Sequence, residues 1–170
     1  GGVLADEYRA ERCIRALGRV DSAWNPAATQ RYRKALGPDD EVYAREAWTL
    51  IEGRVDTWVE RWRRQVDAVC GGEVPQVVAA ASRACLTGDR IRFEVLLESL
   101  EMSTGRTHWA LASELSALPS PGRCLVPEWL ATNESYLDGV EPDSAAKVDE
   151  DLVRSYALEV AGRYQEAAQA

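Results

Sequence analysis

Only one histidine, His108, and one phenylalanine, Phe93, stand among the 170 residues. A Ser-His-Asp or Cys-His arrangement would therefore have a single base to draw on. That base lies beside Trp109 at an expected helix start, which suits a capping or solvent position. An excess of basic charge is also missing, since 20 Lys and Arg face 28 Asp and Glu for a net charge of -8 and a pI near 4.8. Such a chain repels phosphate backbones and anionic lipid surfaces, which argues against nucleic-acid binding. No stretch approaches the roughly 20 uninterrupted apolar residues that a bilayer crossing needs. Gly1 to Arg12 show no basic flank followed by an apolar run, so neither a signal peptide nor an anchor is expected here. Alternating runs of β-branched residues are scarce, whereas Ala, Arg, Glu and Leu are plentiful, and the fold class expected is all-α. Without a strand there is no Gly-rich phosphate loop of the kind that follows one.

Several short patterns imitate reactive sites. Ser144-Ala-Ala-Lys147 has the S-x-x-K spacing of penicillin-recognising enzymes but no S-D-N or K-T-G companion, and Ser144 after Pro142-Asp143 reads as a helix cap. Asp39, Asp40 and Glu41, and likewise Asp149, Glu150 and Asp151, lack the D-x-D-x-D-G loop of a calcium site and suit a first helical turn or a solvated face. Cys13, Cys70, Cys85 and Cys124 contain no C-x-x-C pair, which argues against zinc. No catalytic residue, cofactor or metal is expected.

What is present is helical periodicity. Leu4, Tyr8, Cys13 and Leu17 recur at helical spacing before Gly18. Asn25-Pro26 supplies a cap and a first-turn proline for a helix reaching about Leu36, with Trp24 placed to fold back onto its first turn. Asp39, Asp40 and Glu41 open the longest helix, which runs to Cys70 with Tyr43, Trp48, Ile51, Val55, Trp58, Val59, Trp62, Val66 and Val69 in one stripe. About 30 residues make a rod of roughly 45 Å, which needs an antiparallel partner of like length. Gly71-Gly72 supplies the reversal, and the return helix from Pro75 is expected to bend or break at Thr87-Gly88-Asp89. A further helix spans about Thr107 to Leu118. The division expected is a helical domain over 1–124, a Pro-, Gly- and acid-rich connector over 125–144 with one helical turn near Trp129, and a last helical unit over 145–170.

Four cysteines allow three pairings. Cys70 and Cys85 should lie roughly 15 Å apart across the hairpin, beyond the 7 Å reach of a disulfide. Cys13 with Cys70, and Cys85 with Cys124, is the pairing preferred. The alternative is four free buried thiols in a cytosolic helical protein.

The segment Ser155 to Ala167, with Gly162, Tyr164 two residues on, and Ala167, resembles the middle of a tetratricopeptide repeat. A single unit cannot bury its own face, so further repeats are expected beyond Ala170. The preceding part resembles a region of large bacterial serine/threonine protein kinases, chiefly of myxobacterial type. There it lies between a membrane-spanning helix and a C-terminal tetratricopeptide array. The residues that carry this are Cys13, Trp24, Tyr43, Ile51-x-x-x-Val55-Asp56-x-Trp58-x-x-x-Trp62, Val69-Cys70, Ala84-Cys85-Leu86 and Leu118-Pro119 leading to Cys124. Gly71-Gly72-Glu73-Val74-Pro75 replaces the family's charged run between the second and third cysteines. The resemblance implies a non-catalytic sensing or interaction region on the outer side of the inner membrane, in a single-pass parent, and hence oxidised cysteines. A protein, a peptide or a small ligand is the partner expected, met in a groove between the hairpin and the repeat helix by an exposed Trp24, Trp129 or Tyr164. The alternative is a cytoplasmic tetratricopeptide adaptor that the hairpin merely caps.

Overall fold

In the computed structural model the residues described are 2–37, 42–102, 106–134, 151–152, 154–156, 158–159 and 162–169. Among them are α1 (Gly2–Leu17), α2 (Pro26–Leu36), α3 (Val42–Cys70), α4 (Gln76–Met102), α5 (Arg106–Ser116), α6 (Pro127–Glu134) and α7 (Tyr164–Ala167). Residues 151–152, 154–156 and 158–159 are also helical, 3₁₀ turns span Val20–Ser22 and Pro121–Leu125, and no strand occurs among the described residues. The chain is an all-α bundle.

α3 and α4 have 29 and 27 residues, so each is a rod of roughly 40 Å, and they lie against one another. Their reversal is built from α3's own end. Glu73 N–H donates to Ala68 O at 3.0 Å while Gly72 takes φ 81°, a left-handed conformation that glycine adopts without strain. The stripe Trp48, Ile51, Val55, Trp58, Val59, Trp62, Val66 and Val69 is buried throughout. Each such side chain contributes roughly 1.5–3 kcal/mol by leaving water. Trp62 Nε1–H donates to Leu86 O at 3.0 Å and Trp58 Nε1–H to Pro119 O at 2.9 Å, so these two rings enter the core without orphaned donors. The core centres on Phe93, whose ring lies 4.8 Å from Trp58 and 6.3 Å from Trp24.

α4 does not break at Gly88. It runs unbroken from Gln76 to Met102, because the buried Leu86, Ile91 and Phe93 anchor it on both sides of a glycine that costs about 1 kcal/mol. α4 touches every other labelled helix from α1 to α6, which is why so much of it is buried. Arg90, halfway along it, closes the end of α1. Its Nε donates to Leu17 O at 2.8 Å, its other arm pairs with Glu94, and it presses on Gly18 at φ 78°. The helical residues up to 159 are followed by the same kind of ending as α3, with Arg163 N–H on Leu158 O and Gly162 at φ 73°.

Three further expectations change. α5 ends at Ser116, α6 is an eight-residue helix where one turn was expected, and Trp24 stacks on Tyr32, deeper along α2 than its first turn. Half of the expected connector, 135–144, and the expected start of the next helix, 145–150, lie outside the described residues.

Candidate functional site

The cap of α2 sets a concavity between α2 and α3. Asn25 Oδ1 accepts the N–H of Ala28 at 3.0 Å, while its amide donates to Asp21 O and Ser22 O, so the chain enters α2 at a fixed angle across α3. The space left between them is a groove of about 650 Å³. Trp24, Trp48 and Val59 lie along its base, and Pro26, Thr29, Gln30 and Arg33 form the α2 wall. The α3 wall is a row of carboxylates, Glu52, Asp56 and Glu60, one helical turn apart and spanning about 12 Å. Asp56 accepts the Trp24 indole N–H at 2.7 Å, Glu60 pairs with Arg64, and Arg63 is held by Asp21. Glu52, between Trp48 and Asp56 on this wall, is half-buried.

Trp24 was expected to be exposed, and it is not. It is 6% exposed, packed among Tyr32, Trp48 and Phe93, and reaches the groove only as part of its base. The indole is large enough that its burial outweighs its single polar atom once Asp56 accepts the N–H. Among the described residues, the hairpin and the repeat segment are in direct contact where a groove was expected. Leu158 and Ala167 pack on Ile91 and Val95 of α4, and Arg163 reaches Ser99 at 3.3 Å, which closes that junction.

No known protein family, curated protein or solved structure matches this chain.

On the opposite flank of α3 lies a smaller hollow of about 260 Å³, with Arg54, Thr57 and Arg61 facing Ser116, Ser120 and Pro121. Arg54 donates to Ser116 O at 3.1 Å. One helix thus separates a groove whose α3 wall carries carboxylates, with Arg33 and Arg63 also on its lining, from a hollow whose only charged lining residues are Arg54 and Arg61.

The four cysteines form Cys13–Cys70 and Cys85–Cys124, each with a Cα–Cα separation of 5.5 Å. The first bond ties α1 to the end of α3, and the second ties α4 to the 3₁₀ turn Pro121–Leu125. Beside the second lies Asp89, the last residue of the Thr87-Gly88-Asp89 stretch. Asp89 is 5% exposed and ion-paired to Arg123, and its Oδ2 is 3.6 Å from Cys124 Sγ. Burial pushes its carboxyl above the ordinary value, an effect that Arg123 and Arg92 oppose. A carboxylate four residues after Cys85, on an otherwise apolar helical face, was the signal available. Its meaning depended on the distant Cys124.

Trp129, the other tryptophan expected at a surface, is half-buried with the Arg123 guanidinium 5.0 Å from its ring. Tyr164 opens α7 and His108 lies in α5, and both side chains fall outside the described residues, as do Asp39, Asp40, Glu41, Ser144, Lys147, Asp149 and Glu150 in full. Asp151 is helical and half-buried. Among the described residues, no helix is long and apolar enough to cross a membrane.

Proposed function

We propose that this chain is a non-catalytic ligand-sensing or protein-interaction region of a bacterial receptor-like serine/threonine protein kinase, acting on the outer side of the inner membrane. The observation that carries the reading is the groove between α2 and α3, an open concavity whose base, Trp24, Trp48 and Val59, belongs to the buried core. A rigid frame lets a ligand bind without first ordering the walls, which lowers the entropy that binding must overcome. The two disulfides support an oxidising compartment, because such bonds persist outside the cytoplasm and are rare within it. The Gly162 corner, docked on α4 through Leu158, supports the likeness of the last segment to a repeat helix pair. The groove takes a peptide segment or a small molecule whose cationic group meets Glu52 and Asp56.

The test is selection of random dodecapeptides displayed on phage against the folded chain and against Glu52→Arg. The expected result is enrichment of peptides bearing Lys or Arg on the first protein and their loss on the second. Absence of any enrichment, or equal enrichment on both, rejects the groove as the binding site. The cytoplasmic adaptor reading would instead be favoured by free thiols in protein isolated without reductant.

A further inference from the structure

We infer that Cys85, Asp89 and Cys124 form a redox-gated site for a thiophilic divalent cation of the zinc type, closed while the disulfide stands and opened when it is reduced. This does not rest on the groove or on what fills it. The donor atoms of these three residues lie within 4.8 Å of one another, with Cys124 and Asp89 buried and Cys85 partly exposed. α4 supplies two of them four residues apart on one face, and the turn Pro121–Leu125 supplies the third.

One oxygen of Asp89 already faces the sulfurs. Arg123 holds Asp89 through Oδ1, which leaves Oδ2 directed at the sulfurs, 3.6 Å from Cys124 Sγ. A tetrahedral ion with bonds of about 2.3 Å to sulfur and about 2.0 Å to oxygen sets its S and O ligands roughly 3.5 Å apart. That edge is already in place. The sulfurs, once unbonded, need only separate by rotation of two side chains. The Arg123–Asp89 pair also matches the pattern in which an outer partner orients a ligating group.

Charge points the same way. Reduction by a dithiol turns the S–S bond into two thiols while the dithiol becomes a disulfide. Binding of the cation then displaces both thiol protons to water. Two thiolates and one carboxylate carry three negative charges, matched by a dication with Arg123, while Arg92, which also acts on Asp89, is paired with Glu114. A buried cluster of three anions with one guanidinium would otherwise be costly. The partly exposed Cys85 side is the route for the ion and for the water that completes its coordination. The loaded site would still tie α4 to the turn, as the disulfide does.

The probe is Co²⁺, displaced afterwards by Zn²⁺. The protein is the full chain carrying Cys13→Ser and Cys70→Ser, so that one disulfide remains, treated anaerobically with a phosphine that is oxidised to its phosphine oxide. The expected result is one Co²⁺ per reduced chain with a near-ultraviolet thiolate-to-cobalt charge-transfer band. Zn²⁺ should abolish that band, and the oxidised chain should bind no Co²⁺. Asp89→Ala should weaken binding by roughly tenfold or more while the charge-transfer band persists. Far-ultraviolet circular dichroism follows the helices. Reduction that unfolds the chain, with refolding by Zn²⁺, also supports the site. No cobalt band, Co²⁺ affinity unchanged by Cys85→Ser or Cys124→Ser alone, or unfolding that Zn²⁺ does not reverse overturns it.

Discussion

At the scale of single residues, three polar side chains, Ser82, Asp89 and Ser99, are buried inside the apolar core. Ser82 is fully buried, and its hydroxyl has no hydrogen-bond partner among the described residues. Ser82→Ala removes that desolvated group with little change of volume and should stabilise the fold by about 1 kcal/mol in urea denaturation. Asp89 makes a second test. Its carboxyl titrates above 3.8 when folded, chiefly through burial, so its contribution to stability is full below that pH and declines as pH rises through the folded value. The wild type should therefore lose stability relative to Asp89→Asn between pH 3.5 and pH 7, measured as the difference in urea midpoints. The opposite slope would mean that Arg123 outweighs desolvation. Neither residue announced itself in the sequence. Ser82 and Asp89 look like ordinary helix-face polar residues until the neighbours that cover them are known. Trp48, Trp58 and Trp62 were legible as core because their spacing alone places them on one face.

Elements were legible where punctuation and periodicity agreed. Asn25-Pro26 starts α2, Gly71-Gly72 ends α3, and the stripe from Trp48 to Val69 is buried, each for a local reason. Gly88 shows where local reasoning loses, since a propensity of about 1 kcal/mol cannot break a helix whose flanking turns are buried. The groove was not legible, because it arises where α2 crosses α3, and the crossing depends on contacts among Trp24, Tyr32 and Phe93 that no spacing encodes. Gly53 bears on the same balance of propensity and packing. It is exposed inside α3, and a Cβ there would meet nothing within 4 Å. Gly53→Ala should raise stability by about 0.5–1 kcal/mol, seen as a higher thermal midpoint with an unchanged circular-dichroism spectrum. A loss of stability would show that α3 is packed differently on that flank.

For the molecule as a whole, the two long rods and the segments tied to them are held by bonds that close long loops. Cys13–Cys70 spans 57 residues and Cys85–Cys124 spans 39, and each restricts the unfolded chain by about 4 kcal/mol in the chain-entropy account. Two such bonds are comparable to the whole net stability of an ordinary domain. Reduction should accordingly lower the thermal midpoint far more than any single core substitution would. The same bonds join the architecture to the proposed location, since both require an oxidising compartment. The most direct measurement is disulfide mapping by mass spectrometry of proteolytic fragments, without reductant, from protein exported to such a compartment. The account predicts fragments joined as Cys13–Cys70 and Cys85–Cys124 with no free thiol. Four free thiols after denaturation, or Cys70 joined to Cys85 or Cys124, would contradict it.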